Sequence, residues 1–179
     1  MNIYKKNRAL TISLLVFYVI ILLWITILKC NHALPIYELR IILGSMTVAE
    51  RFVHATSQLT LKDGTMTEMI LNVFIFIPFG ILIPLLRGRA APIITTALAL
   101  LSTFFIECLQ LLLCFGWFTY SDLMLNTAGA VLGIIIYTVF VKRVNEEHKK
   151  TILTFLNVFA IAISIFAIIN TALNIEIYM

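Results

Sequence analysis

The strongest constraint on the fold of this chain is its series of long apolar stretches. There are five, at residues 9–28, 70–86, 91–115, 123–141 and 152–173. Each is long enough to cross a hydrocarbon core of about 30 Å as a helix. With 61% hydrophobic and 12% charged residues, the 179-residue chain has too little polar surface for a soluble globule. The sequence therefore predicts an all-α fold, a polytopic membrane helical bundle with about five transmembrane helices.

The distribution of basic residues predicts the orientation of this bundle. With the N-terminus in the cytoplasm, nine of the 13 Lys and Arg residues fall on the cytoplasmic side, as the positive-inside rule requires. These nine are Lys5, Lys6, Arg8, Arg87, Arg89, Lys142, Arg143, Lys149 and Lys150. We expect a multi-pass protein of a bacterial cell membrane with its C-terminus outside. The net charge of +4 then indicates membrane lipids as partners, and no nucleic acid.

We interpret residues 1–179 as a single membrane domain. The one sizeable segment between predicted spans is an extracellular loop at 29–69. Its centre, 39–59, mixes apolar and charged side chains, a pattern that favours an interfacial helix on the outer membrane surface. The stretch 152–173 is predicted to be an additional C-terminal transmembrane helix.

Glu107 is the most informative single residue, because it is the only charged residue in the stretch 91–115. An ionisable side chain at membrane depth is costly unless it faces a protein interior or a wet cavity. A rise of about 1.5 Å per residue places Glu107 just beneath the outer boundary of the hydrocarbon core. We therefore expect Glu107 to belong to a functional site.

Three of the predicted helices carry a polar pair at this same outer level. The spacings within the pairs are i, i+4 or i, i+3, so both members of a pair share one helix face. Together they predict an outward-facing polar pocket lined by Glu68, Asn72, Glu107, Gln110, Asp122 and Asn126. Two simpler explanations stay open at this point. Asn and Gln also hydrogen-bond between transmembrane helices for modest stability gains, and Asp122 is a suitable N-cap.

Backbone features point to specialised packing in the same region. Pro78 lies in the middle of the second stretch, where it removes a helical hydrogen bond, and with Gly80 it predicts a helix kink. Gly129 and Gly133 have the spacing that lets two membrane helices approach closely. Packing alone is also sufficient to explain these residues.

The order and spacing of these residues resemble the VanZ-like family. The resemblance covers about residues 68–137 and is weaker in the first stretch. It is carried by Glu68, Asn72, Phe76, Pro78, Phe79, Gly80, Phe105, Glu107, Gln110, Asp122, Asn126, Thr127, Gly129 and Gly133. It implies a multi-pass bacterial membrane protein linked to resistance to teicoplanin, a glycopeptide antibiotic with a fatty-acyl tail. It implies no reaction, because no biochemical mechanism is established for the family.

This chain departs from the family pattern in the hairpin before Asp122. Family members typically carry an Arg and an additional Asp there, whereas this chain has Gly116 and Thr119 at the corresponding positions. A mechanism that requires a second hairpin carboxylate or a fixed cation at those positions is therefore in doubt.

Three functions are compatible with such a pocket. The first is binding, in which the pocket holds teicoplanin or a lipid-linked cell-wall precursor. The second is catalysis on a cell-envelope substrate, with Glu107 as general base and Asp122 as its partner. The third is transport, as a small transporter or flippase, although only one stretch shows the helix break typical of transporters.

The sequence contains no nucleophilic serine in a strand-to-helix elbow and no cluster of histidines. We therefore expect no metal site and no cofactor. Whether the chain is an enzyme, and how many copies assemble, stay open from sequence.

Overall fold

In the computed structural model of this protein, residues 3–28, 41–42, 44–57, 66–113 and 118–177 are described. These residues are almost entirely helical. We number the α-helices α1 (Ile3–Leu28), α2 (Val48–Ser57), α3 (Met66–Arg87), α4 (Pro92–Leu112), α5 (Tyr120–Val139) and α6 (Glu146–Ile177). A short 3-10 turn, Val141–Arg143, joins α5 to α6.

Four of the five predicted spans coincide with helices that are long and apolar enough to cross a membrane. Within the described part of the chain, four helices are long and apolar enough to cross a membrane, at Asn7–Trp24, Met69–Arg87, Pro92–Leu112 and Tyr120–Arg143. The predicted fifth span, 152–173, lies inside α6. Large apolar side chains such as Phe74, Phe105 and Met124 are exposed on α3, α4 and α5, as expected for helices surrounded by lipid.

Helix α6 packs on α1, α1 on α3, α3 on α5, and α5 on α4, and α4 also contacts α3 and α1. The core between them is built from buried side chains of all these helices. It contains Leu14, Tyr18, Leu22, Phe76, Phe79, Leu82, Ala99, Ile106, Ala130, Leu153 and Ala160.

The most extensive contact is between α3 and α5, and it depends on glycine. A β-carbon on Gly80 would overlap the carbonyl oxygen of Ala130, and one on Gly129 would overlap that of Val73. Gly133 lies in the same way against Ile77. The two backbones therefore touch directly, which fixes how α3 and α5 align and brings their first turns together. Both helices run in the same direction.

Helix α3 is continuous through Pro78 and also through Pro84. Pro78 leaves the carbonyl of Phe74 without its helical donor. In the same turn the Tyr18 hydroxyl of α1 donates a hydrogen bond to the carbonyl oxygen of Ile75 at 2.8 Å. A neighbouring helix thus supplies a donor where the proline weakens the backbone ladder.

A tight turn joins α3 to α4. Gly88 has φ 69°, a left-handed conformation that glycine adopts without strain, and its N–H donates to the carbonyl of Leu85 at 3.3 Å. Pro92 then occupies the first turn of α4, where its missing N–H removes no helical bond. Helix α4 consequently runs opposite to α3 and α5.

Candidate functional site between α3, α4 and α5

The antiparallel course of α4 brings polar residues of three helices to one end of the bundle. Asn72 lies in the second turn of α3, Glu107 in the last turns of α4, and Asp122 in the first turn of α5. We call the polar residues at this end the polar cluster: Asn72, Thr103, Glu107, Gln110, Thr119, Asp122 and Asn126. All of its members from α3 and α4 are buried.

Glu107 is enclosed by protein, with only 2% of its surface exposed. Its Oε2 accepts a hydrogen bond from the backbone N–H of Thr119 at 2.8 Å. Thr119 is the N-cap residue of α5, and its side chain makes no capping bond. The carboxylate therefore fastens the end of α4 to the start of α5.

A second connection joins α3 to α5. Asn72 Nδ2 donates a hydrogen bond to Asp122 Oδ1. Asp122 is not the N-cap of α5, since that position is held by Thr119, and it faces the neighbouring helix. The capping explanation for Asp122 is thus replaced by an interhelical bond.

A third connection lies one turn deeper, between α5 and α4. Asn126 Nδ2 donates to Thr103 Oγ1 at 2.8 Å, and both residues are buried. Among the described residues, two buried oxygens of the polar cluster have no hydrogen-bond partner: Asn126 Oδ1 and Thr119 Oγ1. The polar cluster thus retains hydrogen-bonding capacity both at the level of Glu107 and one turn deeper.

The six predicted pocket residues differ in how closely the structure brings them together. It brings Asn72 and Asp122 into direct contact and places Glu107 against the residue three positions before Asp122. Gln110 is buried on α4 in the next turn after Glu107. Glu68 belongs to the first turn of α3, but its side chain lies outside the described residues.

Helix α2 covers the end of α4 near this cluster. Its N-terminus is capped by Thr47 and Glu50, because Glu50 Oε2 accepts from the Thr47 N–H at 2.6 Å and the Glu50 N–H donates to Thr47 Oγ1 at 3.3 Å. The hydrogen bond from the Thr47 N–H lowers the pKa of Glu50. Arg51 points inward from α2, and its Nη1 donates to the carbonyl oxygens of Leu111 and Leu112 at 3.3 and 3.4 Å.

Sequence reasoning missed Thr103, the amide of Thr119, and Arg51. Thr103 stands four residues before Glu107, so helical spacing alone was enough to place it on the same face. Arg51 is 60 residues from Leu111 in sequence, and no periodicity relates the two.

The chemistry available here is that of carboxylates and amides. Glu107 and Asp122 are each held by an N–H donor of the protein, which fixes their positions. Within the described part of the chain, no three His, Cys, Asp or Glu side chains are grouped closely enough to bind a metal ion. Hydrogen bonding to a polar headgroup is the interaction that this arrangement supports most directly.

Comparison with known proteins identifies the family. A model of the VanZ/LLP1 family matches residues 15–141, which is more than half of the chain. This chain belongs to the VanZ/LLP1 family. A curated relative, Protein VanZ from Enterococcus faecium, is 26% identical over 152 residues, covering 85% of this chain and 88% of the relative. No solved structure gives a match.

Membership in the VanZ/LLP1 family agrees with the helical architecture. The matched region contains the second half of α1 and all of α2 through α5, and thus every helix that contributes to the polar cluster. Together with the four apolar helices, it shows a multi-pass membrane protein of VanZ type.

Proposed function

We propose that this protein reduces susceptibility to teicoplanin at the bacterial cell surface. The proposal is supported by membership in the VanZ/LLP1 family and by the extended similarity to Protein VanZ of Enterococcus faecium. Teicoplanin carries a fatty-acyl tail, and lipid-linked precursors of the cell wall have a comparable division into an apolar tail and a polar head. A membrane protein with a polar site near one end of its spans suits either ligand.

The observation that carries the proposal is the burial of Glu107 at the end of α4. A carboxylate enclosed to this degree, near the end of an apolar span, is expensive to retain for packing alone. Around it, Asn72, Asp122 and Asn126 offer hydrogen bonds from two further helices. In the proposed mode of action this cluster binds the polar head of an acylated or lipid-linked ligand, while the tail stays in the bilayer.

The proposal includes an orientation. Placing the N-terminus in the cytoplasm puts the polar cluster at the outer face, where teicoplanin acts, and puts the C-terminus outside. Alkaline phosphatase and green fluorescent protein fused in turn to the C-terminus test this directly. Phosphatase activity without fluorescence is expected, and fluorescence without phosphatase activity would contradict the predicted position of the C-terminus outside the cell.

The resistance role is tested by the minimum inhibitory concentrations of teicoplanin and vancomycin in a susceptible Gram-positive host. The host expresses wild type, Glu107→Gln or the control Glu147→Gln, with membrane levels matched by immunoblot. Glu147 is a suitable control because it is an exposed glutamate in the first turn of α6, far from the cluster. Wild type and Glu147→Gln are expected to protect against teicoplanin and much less against vancomycin.

Glu107→Gln preserves the shape of the side chain but removes its charge and one acceptor oxygen. Loss of protection in this variant alone is the expected result. Protection equal to that of wild type would reduce Glu107 to a structural residue. Absence of protection by wild type would refute the resistance role itself.

A further inference from the structure

Arg51 is a buried cation with a hydrogen-bond donor that has no partner in the described part of the protein. Only 8% of its surface is exposed. Its Nη1 bonds to two backbone carbonyl oxygens at the end of α4, while its buried Nε has no hydrogen-bond partner among the described residues. Nor does it form an ion pair with any side chain in the described ranges. The carbonyl end of a helix offers only about half a negative charge, so a buried guanidinium there still needs an anion.

Arg51 contacts α4 about one helical turn beyond Glu107, at the same end of the bundle as the polar cluster. Leu111, whose carbonyl oxygen it contacts, is one helical turn beyond Glu107 on the same face of α4. Glu107 in turn holds Thr119, whose buried Oγ1 is one of the unpartnered oxygens described above. Arg51 therefore adds a cationic N–H donor at the end of the bundle where the polar cluster offers groups that accept hydrogen bonds.

We infer that Arg51 binds the phosphate of a lipid headgroup, and that the polar cluster binds the hydroxyl or amine groups adjacent to that phosphate. The guanidinium is suited to this task because its Nε and terminal nitrogens form a planar fork that matches phosphate oxygens. The polar cluster offers acceptors instead: the oxygens of Glu107 and Asp122 and the unpartnered oxygen of Asn126. These oxygens would repel a phosphate but accept hydrogen bonds from hydroxyl or amine groups. The phosphate therefore binds at Arg51, and the hydroxyl or amine groups bind at the cluster.

The surroundings of Arg51 fit a lipid. On the same helix α2, Val48 and Val53 are more than half exposed, so apolar surface borders the cation. A phosphate attached to an acyl or prenyl chain reaches Arg51 while its chain remains in the hydrocarbon. This inference rests on the proposed function, because it names the ligand class of the same site.

Binding of defined lipids to purified protein in detergent tests the inference. The probes are a short-chain phosphatidylglycerol, a polyprenyl phosphate and, as the phosphate-free reference, the corresponding short-chain diacylglycerol. Wild type is expected to bind both phosphate probes at least tenfold more tightly than the diacylglycerol. Comparable affinities for the two phosphates indicate membrane phospholipid as the source, and a clear preference for the polyprenyl phosphate indicates a lipid-linked carrier. Absence of any preference for phosphate in wild type would overturn the inference without recourse to a variant.

Variants locate the binding site. Arg51→Gln is expected to weaken both phosphate probes about tenfold and leave the diacylglycerol unchanged, whereas Arg89→Gln, in the exposed turn between α3 and α4, is expected to change none. Arg51→Lys retains the charge but loses the Nε donor, so an intermediate loss is expected, and it replaces Arg51→Gln if that variant does not fold. If the folded Arg51 variant binds the phosphates as wild type does, Arg51 is only a clamp for α4.

The outcome is independent of the resistance test. Phosphate selectivity in a protein that gives no teicoplanin protection would refute the proposed function and leave this lipid site standing. Teicoplanin protection without phosphate selectivity would support the proposed function and refute the lipid site at Arg51.

Discussion

The α3–α5 and α1–α6 pairs join parallel helices in two different ways. In the first pair, glycines bring backbone against backbone. In the second, side chains stand between the helices: Asn7 Nδ2 donates to Glu146 Oε2 at 2.7 Å, and Asn157 Nδ2 donates to the carbonyl oxygen of Leu10 at 2.9 Å. A contact made of backbone has no side chain that can move aside, whereas a contact made of side chains can repack. We therefore expect α3–α5 to tolerate far less change than α1–α6.

The largest effect is expected from Gly129→Ala. The new methyl group would overlap the carbonyl oxygen of Val73, and neither backbone can retreat without separating the helices. We expect the free energy of unfolding in detergent to fall by about 3 kcal/mol, at the upper end for overpacking. Gly44→Ala is the matched control, because a β-carbon there meets nothing within 4 Å. Equal stability of the two variants would contradict the direct backbone contact.

Thr103→Val is expected to have the next largest effect. It preserves the shape of the side chain but leaves Asn126 Nδ2 buried without its acceptor, which lowers the free energy of unfolding by about 2 kcal/mol. Thr95→Val is the control on the same helix. Thr95 is equally buried, but its hydroxyl bonds only to nearby carbonyls, of Ala90 and Ala91. Thermal unfolding in detergent should separate the two variants, and similar losses would show that the α4–α5 bond adds nothing.

Asn157→Leu tests the α1–α6 pair and should lower the free energy of unfolding by a smaller amount. The substitution removes bonds to the carbonyl oxygens of Leu10 and Leu153, but it also removes an amide oxygen that has no partner in the described structure. Interhelical hydrogen bonds in membranes contribute only about 0.6 kcal/mol on average. We expect a loss of about 1 kcal/mol or less by the same measurement. A loss of stability as large as that of Gly129→Ala would contradict the expectation that α1–α6 tolerates more change than α3–α5.

The smallest effect is expected for the stability that Glu146 contributes to the α1–α6 contact, which should depend on pH. Hydrogen bonds from Lys149 and then from Asn7 lower the pKa of Glu146 below its ordinary 4.5. A lowered pKa in the folded state means that this carboxylate stabilises the fold at pH above 4.5 and that the contribution is lost as pH falls through the folded value. Wild type should therefore be slightly more stable than Glu146→Gln at pH 7, and the difference should vanish at low pH. Equal stability of wild type and Glu146→Gln at pH 7 would contradict this contribution.

The sequence predicted the four apolar helices that the structure contains, and it predicted that Asn72, Glu107 and Asp122 share one end of them. Apolar length determines where helices cross, and alternating direction then places Asn72, Glu107 and Asp122 at one level. The spacing of Gly129 and Gly133 also indicated close packing, and α3 is the helix they contact.

The hydrogen-bond partners were not predictable from the sequence. Glu107 binds the backbone amide of Thr119, a donor that every residue except proline carries and that no side-chain pattern reveals. Arg51 reaches α4 from a segment with no apolar periodicity linking the two, so its docking depends on how the chain folds back. The long-range placement of a loop helix is fixed by tertiary contacts, which local propensity does not encode.

The bond between Glu107 and Thr119 also bears on how the protein enters the membrane. During synthesis Glu107 emerges from the ribosome before its partner, which lies 12 residues later in the chain. A helix carrying an unpartnered carboxylate is a poor candidate for release into lipid on its own. Helices α4 and α5 are therefore expected to leave the translocation channel together, with the hairpin closed around Glu107 before either one meets the lipid.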